Sequence, residues 1–276
     1  MTAIAALLPD GRLHLQHGPI DILVGLKGSR DAISAAQTRA VQRFSTVLDE
    51  LVEELPLLRS PLGQPQCRIA RRMAAAVAPY RPAFITPMAA VAGAVAEEIA
   101  GVLPGPGLAS AHVNNGGDIA LYLTHGESLT CALACGGGRV TIRHADRVRG
   151  IATSGWRGRS LSLGIADAVT VLARTAAMAD AAATMIANAV DLPGHPGITR
   201  RPARQVQADS DLGDRLVTVA VSDLLPAECD IALDAASHLA EALRAKGLIE
   251  GAALFLQGRM RATADGILLA KEEERV

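Results

Sequence analysis

The hydrophobic period of the chain changes at the glycine- and proline-rich stretch 101–107, and that change limits the fold more than any other feature. Upstream of it, apolar residues recur at helical spacing. Residues 30–58 carry Val41, Phe44, Val47, Leu48, Leu51 and Leu55 on one stripe, the pattern of an amphipathic helix lying on a sheet. A second helix is predicted over 68–77. A third is predicted over 88–100, opened by Thr86-Pro87 in the N-cap and N1 arrangement, where a helix start tolerates proline. Two short alternating runs, 13–15 and 20–24, flank His17-Gly18-Pro19 and predict an N-terminal strand pair. Downstream of 107 the signal is extended. Runs at 119–123, 129–134, 140–143, 150–153 and 163–173 are separated by Gly, Asp and Ser and predict successive strands. An alanine-rich helix over 175–190, a Gly/Pro/Arg loop over 191–204, and a strand–helix–strand set at 216–222, 228–246 and 253–260 complete the chain. Helices first, a meander of strands in the centre, then another αβ stretch: the expected class is α+β, with a mostly antiparallel sheet covered by helices.

Composition excludes several functions. The net charge is −1 with both signs interspersed, which leaves no electrostatic footprint for nucleic acid. Aromatic residues make up 2% of the chain, too few for a base-stacking platform. Apolar runs are broken by Pro, Gly or charge well before the ~20 residues a membrane helix requires, so no span is expected. Residues 1–11 show neither a basic n-region nor a lipid-attachment cysteine, and the expected location is cytoplasmic. Cys67, Cys131, Cys135 and Cys229 are scattered; Cys131 and Cys135 have no histidine partners for zinc, and buried free thiols are expected. The alanine-rich helices permit close packing against a second copy of the chain.

Three segments carry chemistry. Asn114-Asn115-Gly116-Gly117-Asp118 precedes an apolar strand. Two glycines permit a tight bend there, and its backbone N–H groups, with the Asn amides, suit the polar edge or phosphate of a nucleotide; an ordinary turn opening a strand accounts for it equally well. Thr153-Ser154-Gly155 ends a strand with two hydroxyls, followed by Arg157 and Arg159. Such a turn can face an anion, or be a polar turn with solvated arginines. Asp180 and Thr184 lie four residues apart among alanines. On a helix that spacing brings the two side chains to about 5–6 Å at Cβ, within reach of one Mg²⁺; the plain alternative is a solvated helix face. Gly136-Gly137-Gly138 reads as a hairpin loop, His112 as a structural histidine close to the Asn-Asn turn, and His195 as part of a Pro-Gly loop. There is no Walker loop, no GxGxxG and no GxSxG elbow, so the common nucleotide folds and hydrolase triads find no support.

In order and spacing, Gly116-Gly117-Asp118, Thr153-Ser154-Gly155, the Val169-Thr170-Val171 strand, and Ala179-Asp180 with Thr184 make the chain similar to the ApbE-like flavin transferases over residues 85–190. That family takes FAD, cleaves its pyrophosphate with Mg²⁺, and attaches FMN through a phosphoester to a Thr or Ser of an acceptor flavoprotein. The resemblance implies one ApbE-like, T-fold-like domain across 1–276. It implies Asp180 and Thr184 as side-chain Mg²⁺ ligands, and Gly116, Gly117, Asp118, Thr153, Ser154 and Gly155 around FAD. Residues 92–97 take the place of the family's Gly-rich helix near the flavin. The family's histidine after the Thr-Ser-Gly motif has no counterpart in 160–167, although Asp167 stands in the acidic place. Two functions are therefore expected side by side: Mg²⁺-dependent FMN transfer, or a non-catalytic flavin carrier or maturation factor. A third, action on another phosphorylated ligand, also stays open.

Overall fold

The computed structural model describes residues 2–136 and 138–263. In chain order the elements are β1 (Ile4–Leu7), β2 (Leu13–His17), β3 (Ile20–Gly28), α1 (Arg30–Glu53), α2 (Leu55–Leu58), α3 (Arg68–Val77), α4 (Val91–Ala100), β4 (Leu108–Asn115), β5 (Asp118–Leu123), β6 (Ser128–Ala132) and β7 (Arg139–Arg143). They continue as β8 (Gly150–Ser154), β9 (Ala168–Ala173), α5 (Ala176–Ala189), β10 (Ile198–Pro202), α6 (Ala203–Val206), β11 (Leu216–Val221), α7 (Pro226–Ala245), β12 (Gly251–Leu256) and β13 (Arg259–Thr263). The class is α+β with a large antiparallel sheet and helices, as expected from the change of period. No helix among the described residues is long and apolar enough to cross a membrane.

The chain divides into two compact units. The first comprises Met1–Leu129, Ile142–Ala152 and Ala173–Ala181, within the described residues. Its strands run in the order β1-β2-β3-β4-β5, with Gly150 and Ile151 of β8 paired to Ala120 and Ile119 of β5. Alternation builds one buried face: Leu13 opposite Val24 and Leu15 opposite Ile22, then Val24 opposite Val113 and Val113 opposite Ala120, all of them buried. A strand shows successive side chains to opposite faces, so Asn115 and Asp118, paired directly across the β4–β5 hairpin, share one face. Helix α1 packs on β2 and β3, and α4 on β4 and β5. Between helices, Glu98 of α4 is fully buried against Arg43 of α1 and Arg68 and Arg72 of α3. Burial works to raise that carboxyl, but hydrogen bonds from Arg68, Arg43 and Arg72 hold it below its usual range.

The second unit comprises Thr130–Thr141, Thr153–Leu172 and the described part of Ala182–Val276. Here β12 pairs antiparallel with both β9 and β13. Every residue of β9 and β12 is buried, which explains why these runs read as continuously apolar instead of alternating. Helix α7 packs on β12 and β13, and Arg259 and Arg261 of β13 reach back to Asp230 and Asp234 of α7.

Several boundaries differ from expectation. The long first helix ends at Glu53, because Pro56 stands in the first turn of α2, where its ring would clash with a preceding carbonyl of any continuing helix. Its buried stripe is Ala32, Ala36, Ala40, Phe44, Val47 and Leu51, while Val41 is exposed. The third helix breaks in two. Thr86-Pro87 opens only a 3₁₀ turn, Pro87–Ala90, and Ala90 leaves helical geometry (φ −128, ψ 12) before α4 starts at Val91. Residues 163–167 are not strand, and 253–260 is a hairpin turning at Gln257 and Gly258 with positive φ. Strands β1, β4 and β10 were not marked by their sequence. Of the Gly136-Gly137-Gly138 loop, Gly137 lies outside the described residues.

Candidate functional site

In the first unit, three elements meet at the start of α4. The first is the β4–β5 hairpin. Gly116 and Gly117 form its two-residue turn with φ 67 and 111, the doubly positive geometry that suits a tight hairpin and that only glycine adopts without strain. The Gly117 N–H donates to Asn114 Oδ1 at 2.9 Å, so this donor is taken within the turn. Asn115, 5% exposed, donates from Nδ2 to the Ala92 carbonyl at 3.1 Å and ties the hairpin to α4. Asp118, opposite it, is also buried.

The second element is α4 itself. A helix leaves its first N–H groups without internal partners, and the break at Ala90 places Ala92 and Gly93 in that position. The third element, α5, answers them. Asp180 Oδ2 accepts from the Gly93 N–H at 2.9 Å, and the Ala92 N–H also favours its ionised form. Burial and the charge of Asp118 outweigh both donors and push the Asp180 carboxyl well above the usual carboxylate range. Two carboxylates thus crowd one desolvated spot. The approach of the helices is set by small residues: a Cβ on Gly93 would lie 2.2 Å from the Ala176 carbonyl oxygen, and one on Gly150 would lie 2.2 Å from that of Thr175.

Asp180 and Thr184 do occupy one turn of the same helix, α5. Asp180 is not a solvated side chain but a cap on a second helix. Among the described residues no three or more His, Cys, Asp or Glu side chains cluster as a metal cage. Mg²⁺ is commonly held by one or two carboxylates together with substrate phosphates and water, and the side chains here that could contribute are Asp180 and Asp118. Gly93, which donates to Asp180, and Glu97, which accepts from the Ala177 N–H, fall within the 92–97 segment but were not singled out individually from sequence as site residues. Their partners lie about 80 residues away in the chain, and the only local signal is a glycine within an alanine-rich helix.

In the second unit, Thr153 Oγ1 and Thr170 Oγ1 are hydrogen bonded at 2.9 Å across β8 and β9. Ser154 ends the strand half-buried, and Gly155 sits so close to the Asp167 carbonyl that a Cβ would be 2.3 Å from it. The Trp156 N–H donates to Ala166 and the Gly158 N–H to Gly155, fixing a turn. Arg157 is exposed, as a solvated arginine would be, but not unmatched: it binds Asp167 at 3.0 Å and stacks 4.9 Å from the Trp156 ring. Asp167 also accepts from the Gln257 N–H at 2.6 Å, which engages both of its oxygens. The buried Trp156 Nε1 has no acceptor among the described residues.

The remaining candidates are structural. The His112 ring lies where a Cβ of Gly25 would be, 2.1 Å from Cε1, and burial, then the Arg12 charge, depress its pKa. His195 accepts from the Gly197 N–H at Nδ1, so Nε2 carries the proton shared with Glu228 at 3.0 Å. The cysteines depart from expectation: Cys229 is buried, but Cys135 is exposed in a 3₁₀ turn at φ 56, off the strand that holds Cys131. All four thiols are free.

A family model described as AbpE bacteria matches residues 5–262. The chain is 33% identical over 175 residues to a UPF0280 protein of Methanococcoides burtonii, covering 59% of this chain and 70% of that protein. It is 35% identical over 178 residues to a UPF0280 protein of Methanopyrus kandleri, covering 58% and 66%. To a UPF0280 protein of Methanothermobacter thermautotrophicus it is 39% identical over 119 residues, covering 41% and 46%. The chain thus spans from under half to 70% of the lengths of these relatives.

Proposed function

Because this chain belongs to the family described as AbpE bacteria, we propose that it binds FAD together with Mg²⁺ and transfers FMN to a hydroxyl of an acceptor flavoprotein. The single observation that supports this most is the pair of neighbouring carboxylates, buried Asp118 and half-buried Asp180, beside the first N–H groups of α4. A divalent cation relieves their repulsion, and a helix N-terminus favours phosphate oxygens. Asp180, with Thr184 one turn further along α5, would hold the ion, and Asp118 would face it. Bound there, Mg²⁺ would offset negative charge on the pyrophosphate. The chain's own contribution is to fix these ligands. In the reaction the acceptor Ser or Thr oxygen bonds to the FMN phosphorus, the pyrophosphate bond breaks, AMP leaves and the hydroxyl proton is released. Asn114–Asp118 in the first unit and Thr153–Gly155 in the second are each assigned to flavin-nucleotide contacts, on the resemblance to ApbE-like flavin transferases. That resemblance also supports an ApbE-like architecture, and four free thiols agree with a reducing, cytoplasmic setting.

One observation favours the carrier reading instead. Asp167, which stands where the family's acidic residue is expected, is occupied by Arg157 and the Gln257 N–H, and no histidine lies in 160–167. Incubation of the protein with FAD, with and without Mg²⁺, and with a Thr- or Ser-bearing flavoprotein subunit separates the two. Mg²⁺-dependent AMP formation with covalent flavin on the subunit establishes transfer; tight FAD binding without AMP establishes the carrier. Absence of FAD binding rejects both. Asp180→Ala is expected to abolish the Mg²⁺-dependent part of either result.

A further inference from the structure

We infer that Glu97 is a positioning residue: α4 and α5 cap each other reciprocally, and the Glu97 half of that clamp holds Asp180 at the start of α4. The inference rests on the metal-site reading above for its functional consequence, but on geometry for its existence. At one end, Asp180 of α5 accepts from the Gly93 N–H in the first turn of α4 at 2.9 Å. At the other, Glu97 of α4 accepts from the Ala177 N–H in the first turn of α5, through a longer bond of 3.4 Å. Each helix thus supplies a carboxylate to the other's positive end, where it offsets the partial charge of unpaired N–H groups.

Between the two caps the backbones touch. Gly93 is the contact, since a Cβ there would meet Ala176 oxygen at 2.2 Å and Ala177 nitrogen at 3.0 Å. Glu97 lies one turn beyond Gly93, and Asp180 one turn beyond Ala176, so caps and contact lie on facing stripes. Glu97 is itself held: Arg72 Nε binds it at 2.9 Å, and the same guanidinium binds buried Glu98 at 3.0 Å. The Glu97 carboxylate is therefore ordered before it meets α5, which lowers the entropy lost on capping. Thr175 adds a local cap, accepting at Oγ1 from the Met178 N–H at 3.3 Å. Local capping fixes where α5 starts; the Glu97 carboxylate ties that start to α4 by a hydrogen bond. Without it α5 can slide along the Gly93 contact, and Asp180 moves with it.

The test uses the full chain with Glu97→Ala and Glu97→Gln, each checked for a native far-ultraviolet spectrum. In metal-free protein, amide hydrogen exchange is followed at Gly93, which Glu97 does not cap. Alanine is the better helix former, so faster exchange at Gly93 in Glu97→Ala does not come from a lower propensity of α4, and Arg72→Ala, which releases Glu97 from α3 but leaves its cap on α5, is the control for the other contact. We expect that acceleration in Glu97→Ala and near-native protection in Glu97→Gln, whose amide oxygen still accepts. Unchanged exchange at Gly93 in Glu97→Ala overturns the inference. In parallel, FAD binding is measured with and without Mg²⁺. Loss of a direct outer partner of a metal ligand typically weakens metal affinity about 10–100-fold; Glu97 acts on Asp180 indirectly, through the start of α5, so Glu97→Ala is expected at the low end, weakening the Mg²⁺-dependent component by about tenfold with Mg²⁺-free FAD binding intact. A wild-type protein with no Mg²⁺-dependent FAD binding rejects the proposed function, while the exchange measurement still decides the clamp. Mg²⁺-dependent binding equal in wild type and Glu97→Ala rejects the positioning role and leaves the function standing.

Discussion

At the scale of the residue, Asp180 carries two roles that oppose each other. As a cap it gains from the Gly93 and Ala92 N–H groups; as a desolvated, half-buried charge beside Asp118 it is held well above its ordinary value of 3.8. A carboxyl raised in the folded state keeps its proton after the unfolded chain has released it. Its contribution to stability is then full below 3.8 and declines as pH rises toward the raised value. Asp180→Asn keeps an acceptor oxygen for Gly93 and removes the charge. In chelator at pH 7 this variant is expected to unfold at a higher temperature than wild type, and the gap should close as pH is lowered to about 3.5, where both side chains are neutral. Saturating Mg²⁺ and FAD should reverse the order, because only wild type gains the linked stabilisation of a bound ion. Thermal unfolding at several pH values measures each part. A wild type whose stability relative to Asp180→Asn does not change with pH would show that Asp180 is not strained.

At the scale of the element, the site exists because two helix starts fall where local sequence does not put them. Thr86-Pro87 is a true start signal, yet it opens the 3₁₀ turn and not α4. What caps α4 is Asp180, 87 residues from Gly93, so its first turn could not be located from neighbouring residues alone. The class of the fold, α3, the hairpin strands β2 and β3, and the Gly116-Gly117 turn were legible, because each follows from a short-range period or turn chemistry. Asp180 and Asp118 were legible as candidates only through the order of motifs. Strand β4 was missed because it carries Ser110, His112, Asn114 and Asn115 among few apolar residues; β10 because Arg200, Arg201 and Pro202 resemble loop. Gly93 shows the same dependence on distant partners. In an isolated helix, alanine is favoured over glycine by about 1 kcal/mol. Here the added Cβ would lie 2.2 Å from the Ala176 oxygen, a backbone atom. Overpacking of this kind costs about 1–3 kcal/mol, so Gly93→Ala is expected to lower stability in urea unfolding and to weaken Mg²⁺-dependent FAD binding. An increase in stability would show that the two helices can separate freely at this point.

At the scale of the whole molecule, the first unit draws on three separate stretches, ending with Ala173–Ala181. No contiguous piece of the chain reproduces it. A fragment of residues 1–129 retains β1 to β5 and α1 to α4, and with them the Glu98–arginine cluster and the Asn115 link to Ala92. It lacks Gly150 and Ile151, which pair with Ala120 and Ile119 of β5, and it lacks the start of α5. The unpaired N–H groups of β5 then face water, and Ala92 and Gly93 lose Asp180. Helix starts without caps are weakened by about 0.5–2 kcal/mol, and an open strand edge favours pairing with other chains. The fragment is therefore expected to keep helical far-ultraviolet signal from α1 and α3, to exchange the Ala92 and Gly93 amides faster than the intact chain, and to self-associate. Adding Mg²⁺ should not stabilise it, since Asp180, the proposed metal ligand, is absent. Equilibrium sedimentation and hydrogen exchange measure these properties together. A monomeric fragment with intact-chain protection at Gly93 would mean that α4 starts at Val91 for local reasons, and the dependence of the site on α5 would fall with it.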